Sequence, residues 1–114
     1  MRQFLRSKIH KAIVTEADVR YIGSITIDET LMNLAHLSEY EKVLVVDNTN
    51  GERVETYVIK GEPDSGTICM NGAAAHRIKK GDEVIIMAFE WSEGEPSKPI
   101  NILVNEQNRF VKFL

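Results

Sequence analysis

The run Lys42-Val43-Leu44-Val45-Val46-Asp47 is apolar, the run Arg53-Val54-Glu55-Thr56-Tyr57-Val58-Ile59 alternates, and Asn50-Gly51 stands between them. β-Branched residues suit a pleated strand, and Asn-Gly supplies the positive φ that a hairpin turn needs. The pattern is therefore a β-hairpin. Working outward, Lys8 to Thr15 ends in β-branched residues, and Ile25-Thr26-Ile27 is a compact strand signal. Thr67 to Met70, Glu83 to Trp91, Ile100 to Val104 and Arg109 to Phe113 follow, with turns at Lys80-Gly81-Asp82 and Asn105 to Asn108. One helix is expected: Asp28 caps it, Glu29 favours its first turn, and Leu31, Leu34 and Ala35 fall on one face, with His36 on the same apolar side as a structural residue. Ala73-Ala74-Ala75-His76 adds a helical turn. Many short strands with one or two short helices make a mainly β protein, a small β-barrel.

The chain has 114 residues, enough for one domain and too few for two. A net charge of −3 and 7% aromatic residues argue against a nucleic-acid binder. The longest apolar run, Val84 to Phe89, is six residues, too short for a membrane span or a signal peptide's apolar region. The single cysteine, Cys69, has no internal disulfide partner, which suits a reducing compartment, the cytoplasm. It lies in the apolar stretch Thr67-Ile68-Cys69-Met70 and reads as a buried, inert thiol.

Metal chemistry finds no support in the spacing of His10, His36 and His76. Asp47 to Gly51 superficially resembles a calcium loop but lacks the glycine and glutamate that complete one, so it reads as a turn. There is no phosphate-cradling glycine loop and no Gly-x-Ser-x-Gly elbow. What is left is Tyr21-Ile22-Gly23-Ser24-Ile25-Thr26-Ile27-Asp28. By residue type alone, Gly23-Ser24 is a bend entering a strand. The other reading is a self-cleaving peptide bond, in which glycine tolerates strain and exposes its carbonyl to the Ser24 hydroxyl.

The surrounding residues favour the second reading. Ser7-Lys8-Ile9-His10-Lys11, Val14-Thr15-Glu16-Ala17-Asp18, Tyr21-Ile22-Gly23-Ser24, Asn50-Gly51-Glu52-Arg53-Val54-Glu55-Thr56-Tyr57, Asn71-Gly72-Ala73-Ala74-Ala75-His76 and Gly81-Asp82-Glu83-Val84-Ile85-Ile86 occur in this order. Together they resemble the pyruvoyl-dependent aspartate 1-decarboxylases over about residues 1 to 90; the tail from Trp91 is not diagnostic. The resemblance implies a double-psi β-barrel, a homo-oligomer (a tetramer) with sites between subunits, and a zymogen that cuts itself between Gly23 and Ser24. Residues 1–23 then form a short chain that stays bound. Residues 24–114 form a chain capped by a pyruvoyl group made from Ser24, with no metal and no pyridoxal phosphate. Such a ketone forms a Schiff base with the substrate amine and accepts the electrons released with carbon dioxide. L-Aspartate would become β-alanine, feeding pantothenate biosynthesis.

The resemblance also implies roles for single residues. Ser24 is the catalytic residue and Tyr57 the proton donor to the carbanion. Arg53 and Lys8 hold the substrate's carboxylates. Thr56 contacts substrate and stabilises the oxyanion of self-cleavage, while Gly72, Ala73 and Ala74 approach the ligand through their backbone. Asn71, Tyr21 and His10 support the cleavage point. One tension is visible in the residues themselves: strand alternation puts Arg53 and Tyr57 on one face and Thr56 on the other, unless a bulge or a strand end intervenes. Two alternatives stand beside this reading: an intact chain that uses Lys8 as an imine-forming amine, and a non-enzymatic β-barrel that binds a ligand or partner.

Overall fold

In the computed structural model, which describes residues 1–114, the hairpin at 42–59 is formed by β4 (Lys42–Asp47) and β5 (Arg53–Gly61). Their loop carries Gly51 at φ 78°, with the Gly51 amide donating to the Asp47 carbonyl at 2.8 Å. The Asp47 carboxylate accepts from the Thr49 amide at 2.7 Å, so the calcium-like sequence serves as the loop's own scaffold.

Before the hairpin come β1 (Arg2–Ile13), β2 (Glu16–Asp18), β3 (Ser24–Asp28) and α1 (Glu29–Ala35). After it come β6 (Ile68–Asn71), a single 3-10 turn (Gly72–His76), β7 (Glu83–Ser92), β8 (Ile100–Val104) and β9 (Phe110–Phe113). All nine strands join one sheet in the order β2-β6-β3-β5-β4-β7-β1-β8-β9. Three neighbouring pairs are parallel, namely β1–β8, β2–β6 and β3–β5.

The sheet closes on itself where β1 ends. The Thr15 amide donates to the Ile68 carbonyl at 2.7 Å, tying the chain after β1 to β6 at the far side of the strand order. The buried Asn108 side chain completes the seam, accepting from the Ile13 amide and donating to the Ile13 and Gly66 carbonyls. Twenty buried apolar residues fill the interior, among them Ile9, Ile25, Ile27, Val45, Val58, Ile86 and Ile102. The fold is mainly β, a small double-psi β-barrel.

α1 forms as its sequence predicts. Asp28 Oδ1 accepts from the Thr30 amide at 2.8 Å, and Leu31, Met32 and Ala35 are buried. The same carboxylate accepts from the Asp64 and Gly66 amides, so this cap also pins the turn before β6.

Two local expectations need correction, and one short strand was not foreseen. β1 begins at Arg2, not near Lys8, because backbone pairing with β7 from Arg2↔Ser92 extends the strand through Arg2-Gln3-Phe4-Leu5-Arg6, where two apolar residues side by side break the alternation. β2 is three residues of mostly exposed polar chain, held only by its ladder to β6. His36 is not on the apolar side of the helix: it is exposed, sits at φ 57° and ends α1 in the left-handed conformation.

Candidate active site

The segment Arg20 to Gly23 is exposed and runs into β3, where Ser24 is only 2% exposed. Ser24 Oγ donates to the Ile22 carbonyl at 3.3 Å and accepts from Asn71 Nδ2 at 3.0 Å. The two residues face each other directly across the β3–β6 ladder. The serine hydroxyl therefore has a fixed direction, with its proton turned back along the chain and one lone pair taken by the amide.

Gly72, next to Asn71, packs against Gly23, the residue before Ser24. Its φ is +76°, and a Cβ there would lie 2.6 Å from the Gly23 Cα and 2.9 Å from the Gly23 nitrogen. Only glycine fits. Gly23 itself makes no such demand: its φ is not in the left-handed region, and a Cβ would meet only the Asn71 carbonyl at 3.9 Å. The expectation that Gly23 is the strained residue is corrected; the positional need for glycine lies across the ladder, at Gly72.

Alternation distributes the other expected residues. Ile25 and Ile27 are fully buried in the core, which turns Ser24 and Thr26 to the outer side of β3. The parallel β3–β5 register pairs Ile25 with Val58, so Ser24 and Tyr57, one residue back on each strand, lie alongside on that outer side. The β4–β5 register runs unbroken from Lys42↔Tyr57 to Val46↔Arg53. β5 therefore has no bulge on this side. Arg53, Glu55 and Tyr57 point outward, while Thr56 points inward with Val54 and Val58.

Lys8 belongs to the outer side as well. The row Lys8↔Met87, Met87↔Leu44, Leu44↔Glu55 crosses β1, β7, β4 and β5. Three strand spacings, about 14 Å, separate Lys8 from Glu55 along it. Neither Lys8 nor Arg53 takes part in any of the chain's ion pairs, whereas neighbouring Lys42 pairs with Glu55. Two uncompensated cations thus share the face that carries Tyr57.

The structure brings together Ser24, Gly23, Asn71, Gly72 and the Tyr21 carbonyl, with Tyr57 on the adjacent strand. Ala73, exposed, and Ala74, half-buried, follow Gly72 in the 3-10 turn. His10 lies on β1 opposite Leu103 of β8, without a hydrogen bond to this group. Two participants escaped sequence reasoning. Thr26 Oγ1 accepts from Asn71 Nδ2 at 3.1 Å, and Cys69 Sγ contacts Asn71 Oδ1 at 3.2 Å. Their signal was the two-residue spacing Ser24/Thr26 and Cys69/Asn71, which puts each pair on one face but is informative only once β3 is known to pair with β6. Burial, then the charges of Glu16 and Asp18, push the Cys69 thiol up from its ordinary value, so it is protonated at neutral pH. No group of three or more His, Cys, Asp or Glu side chains is gathered as a metal site, and no helix is long and apolar enough to cross a membrane.

The family model for aspartate decarboxylase matches residues 1–111. The chain belongs to the aspartate decarboxylase family. An aspartate 1-decarboxylase of Caldicellulosiruptor bescii is 54% identical over 113 residues, covering 96% of this chain and 88% of that protein. One from Lactiplantibacillus plantarum is 54% identical over 111 residues, covering 95% and 85%. One from Pseudothermotoga lettingae is 52% identical over 112 residues, covering 97% of each. The family match extends past residue 90 into the tail that the sequence motifs left undiagnosed.

Proposed function

We propose that this chain is a self-processing aspartate 1-decarboxylase that converts L-aspartate to β-alanine and carbon dioxide, supplying pantothenate biosynthesis. Membership in the family makes it an enzyme, a carboxy-lyase. The observation that carries the self-processing reading is the buried, oriented Ser24 hydroxyl immediately after an exposed glycine peptide.

In this reading Ser24 Oγ attacks the Gly23 carbonyl carbon, the amide C–N bond breaks, and the chain is joined by an ester. Loss of the Ser24 α-proton then expels Gly23 as a carboxylate, and water replaces the nitrogen, which leaves as ammonia. The residues present fit that outcome: Asn71 donates to the reacting oxygen, and the Gly72 backbone packs on the scissile side. A pyruvoyl group formed at residue 24 supplies a ketone that takes the substrate amine and the electron pair released with carbon dioxide. The remaining work falls to this chain's own side chains. Arg53 and Lys8 hold the substrate carboxylates, Arg53 in the bidentate manner open to a guanidinium. Tyr57, beside Ser24, returns the proton after carbon dioxide leaves. Gly72, Ala73 and Ala74 offer backbone to the substrate. Thr56 is turned to the barrel interior, so its side chain is not among the groups that one chain gathers on the outer face.

We place the complete site between two copies of the chain, within a homo-oligomer of four. Lys8, Arg53 and Tyr57 lie on the outer side of one chain, Arg53 exposed and the other two half-buried, with Lys8 three strands away from β5. Segment 1–23 stays bound after cleavage because β1 is laddered to both β7 and β8. We assign the enzyme to the cytoplasm, where Cys69 stays reduced. The test is Ser24→Ala, which removes the attacking hydroxyl. The variant should remain one uncut chain that makes no β-alanine, whereas cleavage or turnover in it would refute the reading.

A further inference from the structure

We infer that Cys69 is a positioning residue for the cleavage between Gly23 and Ser24, acting through the Asn71 side-chain amide. The inference rests on the self-processing reading above. Asn71 is buried, 4% exposed, and its amide meets three side chains. Nδ2 donates its two protons to Ser24 Oγ at 3.0 Å and Thr26 Oγ1 at 3.1 Å. Oδ1 accepts from Cys69 Sγ at 3.2 Å.

The two ends of an amide have the same shape and opposite hydrogen-bonding character. A hydroxyl satisfies either end, because it both donates and accepts. Thr26 therefore does not fix which end of Asn71 faces it, and Ser24 does so only through its long 3.3 Å bond to the Ile22 carbonyl. Cys69 does, because a protonated thiol donates but is a poor acceptor, and its acidity is weakened by burial and by Glu16 and Asp18. Turning the amide over would exchange an S–H···O bond for a weak N–H···S contact. The thiol thus holds Nδ2 toward Ser24.

That orientation matters chemically. An N–H aimed at Oγ stabilises the negative charge that builds there as the hydroxyl gives up its proton. A carbonyl oxygen in the same place would oppose it. The Ser24 proton is at the same time directed to the Ile22 carbonyl, which leaves one Oγ lone pair for the Gly23 carbon.

The experiment follows cleavage of freshly made precursor, from cell-free synthesis, by intact mass over time. Wild type, Ser24→Ala, Cys69→Ala, Cys69→Ser and Cys69→Val are compared, with a thermal melt of each. Cys69→Ala should slow cleavage roughly three- to tenfold, the scale of one lost hydrogen bond, without lowering the melting temperature in proportion. Cys69→Val, which fills the space without a donor, should be as slow as Cys69→Ala, and Cys69→Ser, whose hydroxyl satisfies either end of the amide, should recover the rate only in part. If Cys69→Ala fails to fold, Cys69→Val decides. Cleavage of Cys69→Val or Cys69→Ala as fast as wild type overturns the inference while leaving self-processing intact. A wild-type chain that is never cut overturns both.

Discussion

A methyl group at residue 72 would stand 2.6 Å from the Gly23 Cα, on a backbone already at φ +76°. An L side chain at positive φ costs about 1–3 kcal/mol, and here backbone must also move apart. Gly72→Ala should therefore lower the thermal midpoint and leave most of the chain uncut, because the peptide before Ser24 is pushed off its position. A variant that melts and processes like wild type would show that this contact is slack. Tyr57→Phe separates maturation from turnover. Ring and volume are kept, so the same two fragments should form, while β-alanine production falls at least about a hundredfold for want of a positioned acid. Full turnover would exclude Tyr57 as the donor, and an uncut chain would assign it to maturation instead. At this scale residue type alone read Gly23-Ser24 as a bend, and the self-cleaving reading came from the motifs around it. The sequence named Gly72 for a backbone approach to ligand but not for its contact with Gly23, a partner 49 positions away in the chain.

Strands with their own apolar pattern were legible: β4 and β8 run over Lys42–Asp47 and Ile100–Val104 as their sequences indicate. β2 and the first half of β1 were not, because they exist through backbone pairing to β6 and β7 rather than through side-chain pattern. The face of β5 was legible too, since alternation alone separates Arg53 and Tyr57 from Thr56. Only the unbroken β4–β5 register removes the bulge that could have reunited them. The loop between these strands gives a prediction of its own. Burial, followed by the carboxyl of Asp82, pushes the Asp47 pKa above its ordinary 3.8. The folded chain then holds this proton more tightly than the unfolded chain does. The resulting stability is present below pH 3.8 and is lost as pH rises through the folded value. Asp47→Asn keeps an acceptor for the Thr49 amide and removes the titration. Its stability relative to wild type should rise with pH across the window just above 3.8, read as urea midpoints of both proteins. A constant difference across that window would show that Asp47 does not titrate abnormally.

At the scale of the whole molecule, the barrel keeps its apolar side chains inside and turns Ser24, Tyr57, Arg53 and Lys8 to one outer face. Of these, Ser24 is buried, Lys8 and Tyr57 are half-buried and Arg53 is exposed, and the proposed site calls on a second copy to complete it. The same architecture would hold a chain cut after Gly23 together: residues 1–23 contribute β1 and β2, both laddered to strands of residues 24–114. The cleaved protein should therefore elute as one species under native conditions and separate only when unfolded. The central claim is that this chain makes its own cofactor from Ser24, and intact mass under denaturing conditions tests it most directly. The account predicts two fragments meeting between Gly23 and Ser24, with the larger one lighter by one ammonia than a chain that begins with serine. A single mass for the whole chain in catalytically active protein, or a larger fragment that still begins with serine, would contradict it.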